Sequence, residues 1–305
     1  MATRSIHNEL PDIAAAAHPD HAGALDWVGM DGIDLPLRYP DAEGNVLTAP
    51  ARVSVQVNLA DEHARGIHMS RLYLLLEKSL AEQPLTPAAL RALLHALLES
   101  HKDLSTRVRL RVEYQHLLKR AALVSANAGW KAYPVSIEAT LQDGHFAVQL
   151  GCEVQYSSTC PASLALSRQA NQQRFDENFA NAMPTHHAVR EWLASERGMA
   201  AAPHAQRSTA KVRVKLASGF EVPVAELIDA IECALATPVQ TAVKREDEQA
   251  FARLNAENPM FCEDAARRIR AALESDPRIG GYHIVASHHE SLHAHDAVAV
   301  ARRAI

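Results

Sequence analysis

Five polar clusters in this chain combine residue types that can bind a metal or move a proton. The first is Tyr156-Ser157-Ser158-Thr159-Cys160-Pro161. A residue before proline is biased to extended backbone, so Cys160 stands at a strand end where a turn can present its sulfur to a cleft. Taken alone, the plainer assignment is a small buried side chain. The second cluster, Pro203-His204-Ala205-Gln206-Arg207-Ser208, places an imidazole at a strand mouth, beside donors suited to phosphate or carbonyl oxygens. The third, Lys244-Arg245-Glu246-Asp247-Glu248, reads as a solvated charged stretch, yet a carboxylate there would complete a site made of thiolate and imidazole.

In the fourth, Glu257-Asn258-Pro259-Met260-Phe261-Cys262-Glu263-Asp264, acidic residues open a helix. The helix dipole accounts for one carboxylate and leaves the other spare. A spare carboxylate accepts two parallel N–H donors, the pattern a guanine edge offers. The fifth and densest runs from Ser287 to Asp296, through His288, His289, Glu290, His293 and His295. On an extended strand His293 and His295 share a face, and two imidazoles beside Glu290 suit proton transfer or metal binding. The alternative is a polar hairpin tip.

The composition sets the frame for these clusters. With 305 residues, 48% hydrophobic and 22% charged, the chain is long enough for a substantial core and balanced like a globular protein. A net charge of -5 argues against a nucleic-acid partner, while a small anion needs only local cations. Four separated cysteines make no disulfide framework, so each is a buried side chain or a reactive or ligating thiol. Histidine is abundant at 17, and most of these are expected on the surface. No apolar run approaches the ~20 residues of a membrane span, and Met1 to Asp20 is polar, so a cytoplasmic location and no membrane partner are expected.

Hydrophobic periodicity supplies the elements that must position the clusters. Residues 1–50 read as a loosely structured lead-in, with Pro36, Pro40 and Gly44. Val53, Val55, Val57 and Leu59 alternate with polar residues, which predicts a half-buried strand. Helices follow over 69–80 and from Thr86-Pro87 to about Ser100. Strands are predicted over 107–116, 133–141 and 146–154, the last two joined at Asp143-Gly144. The second half repeats the theme: a strand over 211–216, helices over 224–236 and 258–273, and strands over 282–289 and 292–300. An α+β fold of two modules results, 51–166 and 203–305, separated by a partly helical insertion over 167–202.

Together and in this order, the clusters resemble the type IB GTP cyclohydrolases, from about Ala51 to the C-terminus. The marks are Arg65-Gly66-Ile67-His68-Met69-Ser70-Arg71, Thr159-Cys160-Pro161, His204 through Ser208, Glu257 through Asp264, and Glu290-Ser291-Leu292-His293-Ala294-His295. The resemblance implies two tandem tunnelling-fold modules, antiparallel sheets with helices packed on one side, in a homo-oligomer with interfacial sites, a tetramer. It implies hydrolysis of GTP to formate and 7,8-dihydroneopterin triphosphate at one divalent metal per site, zinc, manganese or iron. By the same resemblance Cys160, His204, Glu248 and Glu290 are the metal ligands, with Glu246 the alternative to Glu248. Glu263 and His68, with Arg207, contact substrate, and His293 and His295 serve catalysis beside Cys160.

Two departures bear on this. The family commonly carries Cys-Pro-Cys-Ser where this chain has Cys160-Pro161-Ala162-Ser163, and the insertion widens the gap from Cys160 to His204. The insertion is therefore expected to loop outward from the site. Two rivals remain open at this point. A nitrile-reductase-like enzyme of the same fold would use Cys160 as a covalent nucleophile and need a nicotinamide. A non-catalytic purine- or metal-binding protein would bind GTP without turnover.

Overall fold

The computed structural model describes residues 19, 21–41, 44–180, 183–217 and 223–304. The polar stretch from Met1 to Asp20, apart from Pro19, lies outside the described residues. So do 42 and 43 of the expected lead-in and 181 and 182 of the expected insertion. The strands, β1 (Leu25–Pro40), β2 (Val46–Leu59), β3 (Arg107–Ala121), β4 (Ala128–Gln142), β5 (His145–Thr159), β6 (Ala205–Leu216), β7 (Ile279–His288) and β8 (Ala297–Arg303), follow one another in sheet order. The helices are α1 (Met69–Glu82), α2 (Pro87–Glu99), α3 (Pro161–Asn178), α4 (His186–Ala194), α5 (Val224–Leu235), α6 (Arg245–Glu257) and α7 (Cys262–Glu274). Two compact units result, Met1–His116 with Val135–Leu150, and Leu117–Pro134 with Gly151–Ile305.

In the first unit the alternation of β2 meets a matching alternation in β3: Val53 faces Val112, Val55 faces Leu110 and Val57 faces Val108. All six side chains are essentially inaccessible to solvent, and burying each contributes about 1.5–3 kcal/mol. Leu72, Leu76 and Leu80 form the buried stripe of α1, which packs on β1 and against α2. Thr86 Oγ1 accepts Ala89 N–H at 3.2 Å, with Pro87 at the first helical position, the start that the sequence predicts. Asp143 and Gly144, at φ 51° and 77°, make the tight turn between β4 and β5.

Where a loosely structured lead-in was expected, Leu25–Pro40 forms a long strand paired antiparallel with β2. The two prolines misled the reading because they suggest a break. β1 is the terminal strand of the sheet order, and an edge strand tolerates residues that cannot donate to a ladder.

The second unit repeats the construction. Ala210, Val212 and Val214 of β6 face Ala286, Ile284 and Tyr282 of β7, and all six are buried. Helix α7 covers β7 and β8 and packs against α5, with Ile269 and Leu273 buried. The helix expected over 258–273 starts only at Cys262. The preceding residues pair with β5 instead, Met260 N–H donating to Thr159 C=O at 3.0 Å. Helices α3 and α4 hold together through Phe175, Phe179 and Trp192, with ring centroids 4.9 to 5.7 Å apart. Among the described residues no helix is long and apolar enough to cross a membrane.

His101, just beyond α2, is 2% exposed and shares a hydrogen bond with Ser100 Oγ at 2.8 Å. Burial pushes its imidazole below the ordinary 6.5. The unfolded chain therefore binds a proton there more readily. The stability His101 contributes is complete above pH 6.5 and is lost as pH falls toward the lowered folded value. Thermal melts from about pH 7 to about pH 5 should drop more steeply for the wild type than for His101→Gln, and parallel slopes would rule out this assignment.

Candidate metal and substrate site

The end of β5 and the approach to β6 are joined by one backbone hydrogen bond, Cys160 N–H to His204 C=O at 3.2 Å. The whole segment from Pro161 to Pro203 leaves and returns between these two residues, as the sequence reading required. Ser163 braces the junction on both sides. Its N–H donates to Cys160 Sγ at 3.5 Å, and its Oγ accepts His204 N–H at 3.1 Å. Cys160, extended at φ -66° and ψ 121°, is thus the N-cap of α3. Ala162, where the family pattern has a second thiol, is exposed.

Period two assigns faces here. On β5 the buried Tyr156 and Ser158 alternate with Gln155 and Ser157, and Cys160, half-buried just past the strand end, follows them in the same phase. On β6 Gln206 and Ser208 are buried, and His204 precedes them in the same phase. A polar network crosses this face: Ser158 Oγ meets Ser208 Oγ at 2.8 Å, Gln206 Nε2 donates to Ser158 Oγ at 2.7 Å, and Gln206 Oε1 lies 3.0 Å from His204 Nδ1. His288 Nε2 and Tyr156 OH are 3.0 Å apart alongside it, and burial pushes the His288 imidazole down to about 4. Arg207 has the opposite phase and is exposed, so the structure does not bring it to Cys160 and His204.

The acidic clusters divide their work. In the first turn of α7, Asp264 Oδ2 accepts Phe261 N–H at 3.1 Å and serves as the cap. Glu263 remains exposed; its own backbone N–H and the Cys262 thiol, 3.2 Å away, hold its carboxyl below the ordinary value of 4.5. Burial, with Glu263 alongside, pushes Cys262 up to about 11, so it stays a neutral donor. At α6, Asp247 is the structural carboxylate. It accepts Val124 N–H at 2.8 Å, Ser125 N–H at 2.9 Å, Ser125 Oγ–H at 2.6 Å and Lys244 N–H at 2.8 Å. Those bonds, the Ser125 hydroxyl first, hold it well below the usual carboxylate range. Glu248, and Glu246 with it, stay exposed on the same turn. The stretch read as a solvated charged run thus opens a helix anchored by Asp247.

The segment 289–296 is a bent loop where strand from 292 was expected. His289 closes it, with Nδ1 2.8 Å from Asp296 Oδ2 and Nε2 2.9 Å from Thr209 Oγ1. The His289–Asp296 contact spans the loop, and β8 starts only at Ala297. His293 and His295 are exposed and stack, ring centroids 5.2 Å apart at 10°. Glu290 is half-buried, next to His289, whose N–H donates to Arg207 C=O at 3.3 Å. His68 belongs to the first unit, where it precedes α1 with its ring 6.4 Å from that of His101.

Of the four expected ligands, the structure brings together Cys160 and His204. Among the described residues no three of His, Cys, Asp and Glu are grouped closely enough to hold a metal ion. Sulfur and imidazole together suit zinc and other divalent transition metals. Sequence reasoning missed Ser163, Ser158 and Asp247 and took Gln206 for a phosphate donor. A serine three residues after a helix cap was the one available sign.

Known proteins extend these observations. The family model described as type I GTP cyclohydrolase folE2 matches residues 10–299. GTP cyclohydrolase FolE2 of Pseudomonas putida (strain GB-1) is 51% identical over 295 residues, covering 96% of each chain. GTP cyclohydrolase FolE2 of Hydrogenovibrio crunogenus (strain DSM 25203 / XCL-2) is 45% identical, covering 95% of this chain and 93% of the relative. Among solved structures, uricase from Arthrobacter globiformis aligns with a TM-score of 0.52 at 10% identity, covering 91% of this chain and 93% of that one. That likeness concerns the fold alone, the α+β tunnelling fold of antiparallel sheet and helices.

The Asp247 bonds make a direct prediction. Asp247→Ala strips partners from the amides of Val124 and Ser125. Hydrogen exchange at both should accelerate while amides in β2 keep their protection; unchanged exchange would show that the clamp is not formed.

Proposed function

Because the chain belongs to the GTP cyclohydrolase FolE2 family, we infer that it is a GTP cyclohydrolase of folate biosynthesis, converting GTP and water to formate and 7,8-dihydroneopterin triphosphate. The observation that carries the reading to particular residues is the Cys160–His204 junction.

A donor set of one thiolate and one imidazole, carried on backbones joined by that hydrogen bond, fits a divalent transition metal. Cys160 and His204 hold it in this proposal, with Glu248 and Glu290 as the oxygen ligands and zinc, manganese and iron as the candidate ions. A bound divalent ion acidifies water, making hydroxide available near neutral pH. The chain's own groups do the rest. Glu263, kept ionised, accepts N1–H and the exocyclic amine of guanine and thereby fixes C8 in place. His293 and His295 deliver protons as the five-membered ring opens, N7 first. His68 and Arg207 are assigned to substrate. The oligomer, a tetramer with interfacial sites, belongs to the same proposal.

Cys160 is a ligand rather than a nucleophile in this reading. Its sulfur takes a helix N–H from Ser163, and Ala162 leaves it without the neighbouring thiol of the family pattern. Two assays test the proposal. Protein loaded with a divalent metal and given GTP should yield fluorescent oxidised neopterin; intact GTP binding without product under every metal would refute the enzyme. Cys160→Ala should lose metal and turnover together, the latter by at least about a hundredfold, since a ligand outweighs the 10–100-fold cost of an outer partner. Turnover retained in that variant would remove Cys160 from the ligand set.

A further inference from the structure

We propose that Gln206 is a positioning residue that fixes the tautomer of His204, acting through the buried serine pair Ser158 and Ser208. The inference rests on the metal-site reading above and deepens it. Gln206 is 8% exposed, and Ser158 and Ser208 are fully buried, so the amide and hydroxyls have no solvent to turn to. Each polar atom must find its partner within the network. Gln206 Nε2 donates to Ser158 Oγ at 2.7 Å, and Ser158 Oγ shares a second hydrogen bond with Ser208 Oγ, 2.8 Å away.

That order turns Oε1, an acceptor only, toward His204 Nδ1 at 3.0 Å. Nδ1 therefore carries the hydrogen, and Nε2 is left with its lone pair. A histidine ligates through a deprotonated nitrogen, and the hydrogen bond at the other nitrogen decides which one that is. Ser163 fixes the His204 backbone through its N–H, while Gln206 fixes the ring. The amide with the reverse orientation would donate to Nδ1 and place the hydrogen on Nε2, closing that nitrogen to a metal.

The experiment has a readout independent of turnover. Long-range proton–nitrogen NMR on the metal-free protein should show His204 as the Nδ1–H tautomer in the wild type and a mixture in Gln206→Met. Titration with zinc alone, against a chromophoric chelator, should show affinity falling 10–100-fold in Gln206→Met and recovering in Gln206→Glu, whose carboxylate again accepts from Nδ1. Ser158→Ala, which removes the acceptor that orders the amide, should give a smaller loss and serves if Gln206→Met does not fold. An Nε2–H tautomer in the wild type, or undiminished zinc affinity in both variants, overturns the role of Gln206. A wild type that binds no zinc, manganese or iron would instead overturn the metal site itself.

Discussion

One backbone hydrogen bond, Cys160 N–H to His204 C=O, carries the consequences of this structure further than any other contact. It closes the excursion through α3 and α4, so that residues remote in sequence meet at the ends of adjacent strands. Because side chains alternate along a strand, that register decides which residues share the buried face. Cys160 and His204 fall in phase with Ser158, Gln206 and Ser208, and Arg207 falls out of it. A slip of one residue would exchange Gln206 for Arg207 beneath the imidazole.

The polar clusters follow a common rule: one member holds the backbone and an exposed neighbour does not. Asp264 caps α7, and the exposed Glu263 beside it takes the Cys262 thiol instead of the cap. Asp247 anchors α6, and Glu248 stands beside it. His289 closes the loop before β8, and His293 and His295 project from it. A carboxylate that had to cap its own helix could not also accept from a base, so the pairs need two acids where one would satisfy the helix dipole.

Much of this was legible in the sequence. The alternation of β2, the Thr86-Pro87 helix start and the Asp143-Gly144 turn are local, and local physics fixed them. The candidate residues Cys160, His204 and Glu263 also stand out in the sequence, through residue type and order. What escaped was set by tertiary context. Pro36 and Pro40 signal a break unless the strand is known to lie at an edge. Helix α6 opens on a run of charged residues, and its one buried residue, Asp247, belongs to that run. Gln206 looks like a surface donor until the buried Ser158 hydroxyl, itself paired with Ser208, is seen to accept from it. The ion pairs of Glu232 with Lys131 at 2.8 Å and with Arg120 at 3.3 Å leave no periodic trace either.

The central claim is that Cys160 sulfur and His204 nitrogen bind one ion together. Absorption spectroscopy of the cobalt-substituted protein reads both donors at once. The wild type should show a sulfur-to-cobalt charge-transfer band with one equivalent of cobalt, and His204→Ala should weaken binding while the band, where formed, persists. A cobalt complex without that band, or a band unchanged in position and affinity after loss of His204, would contradict the account.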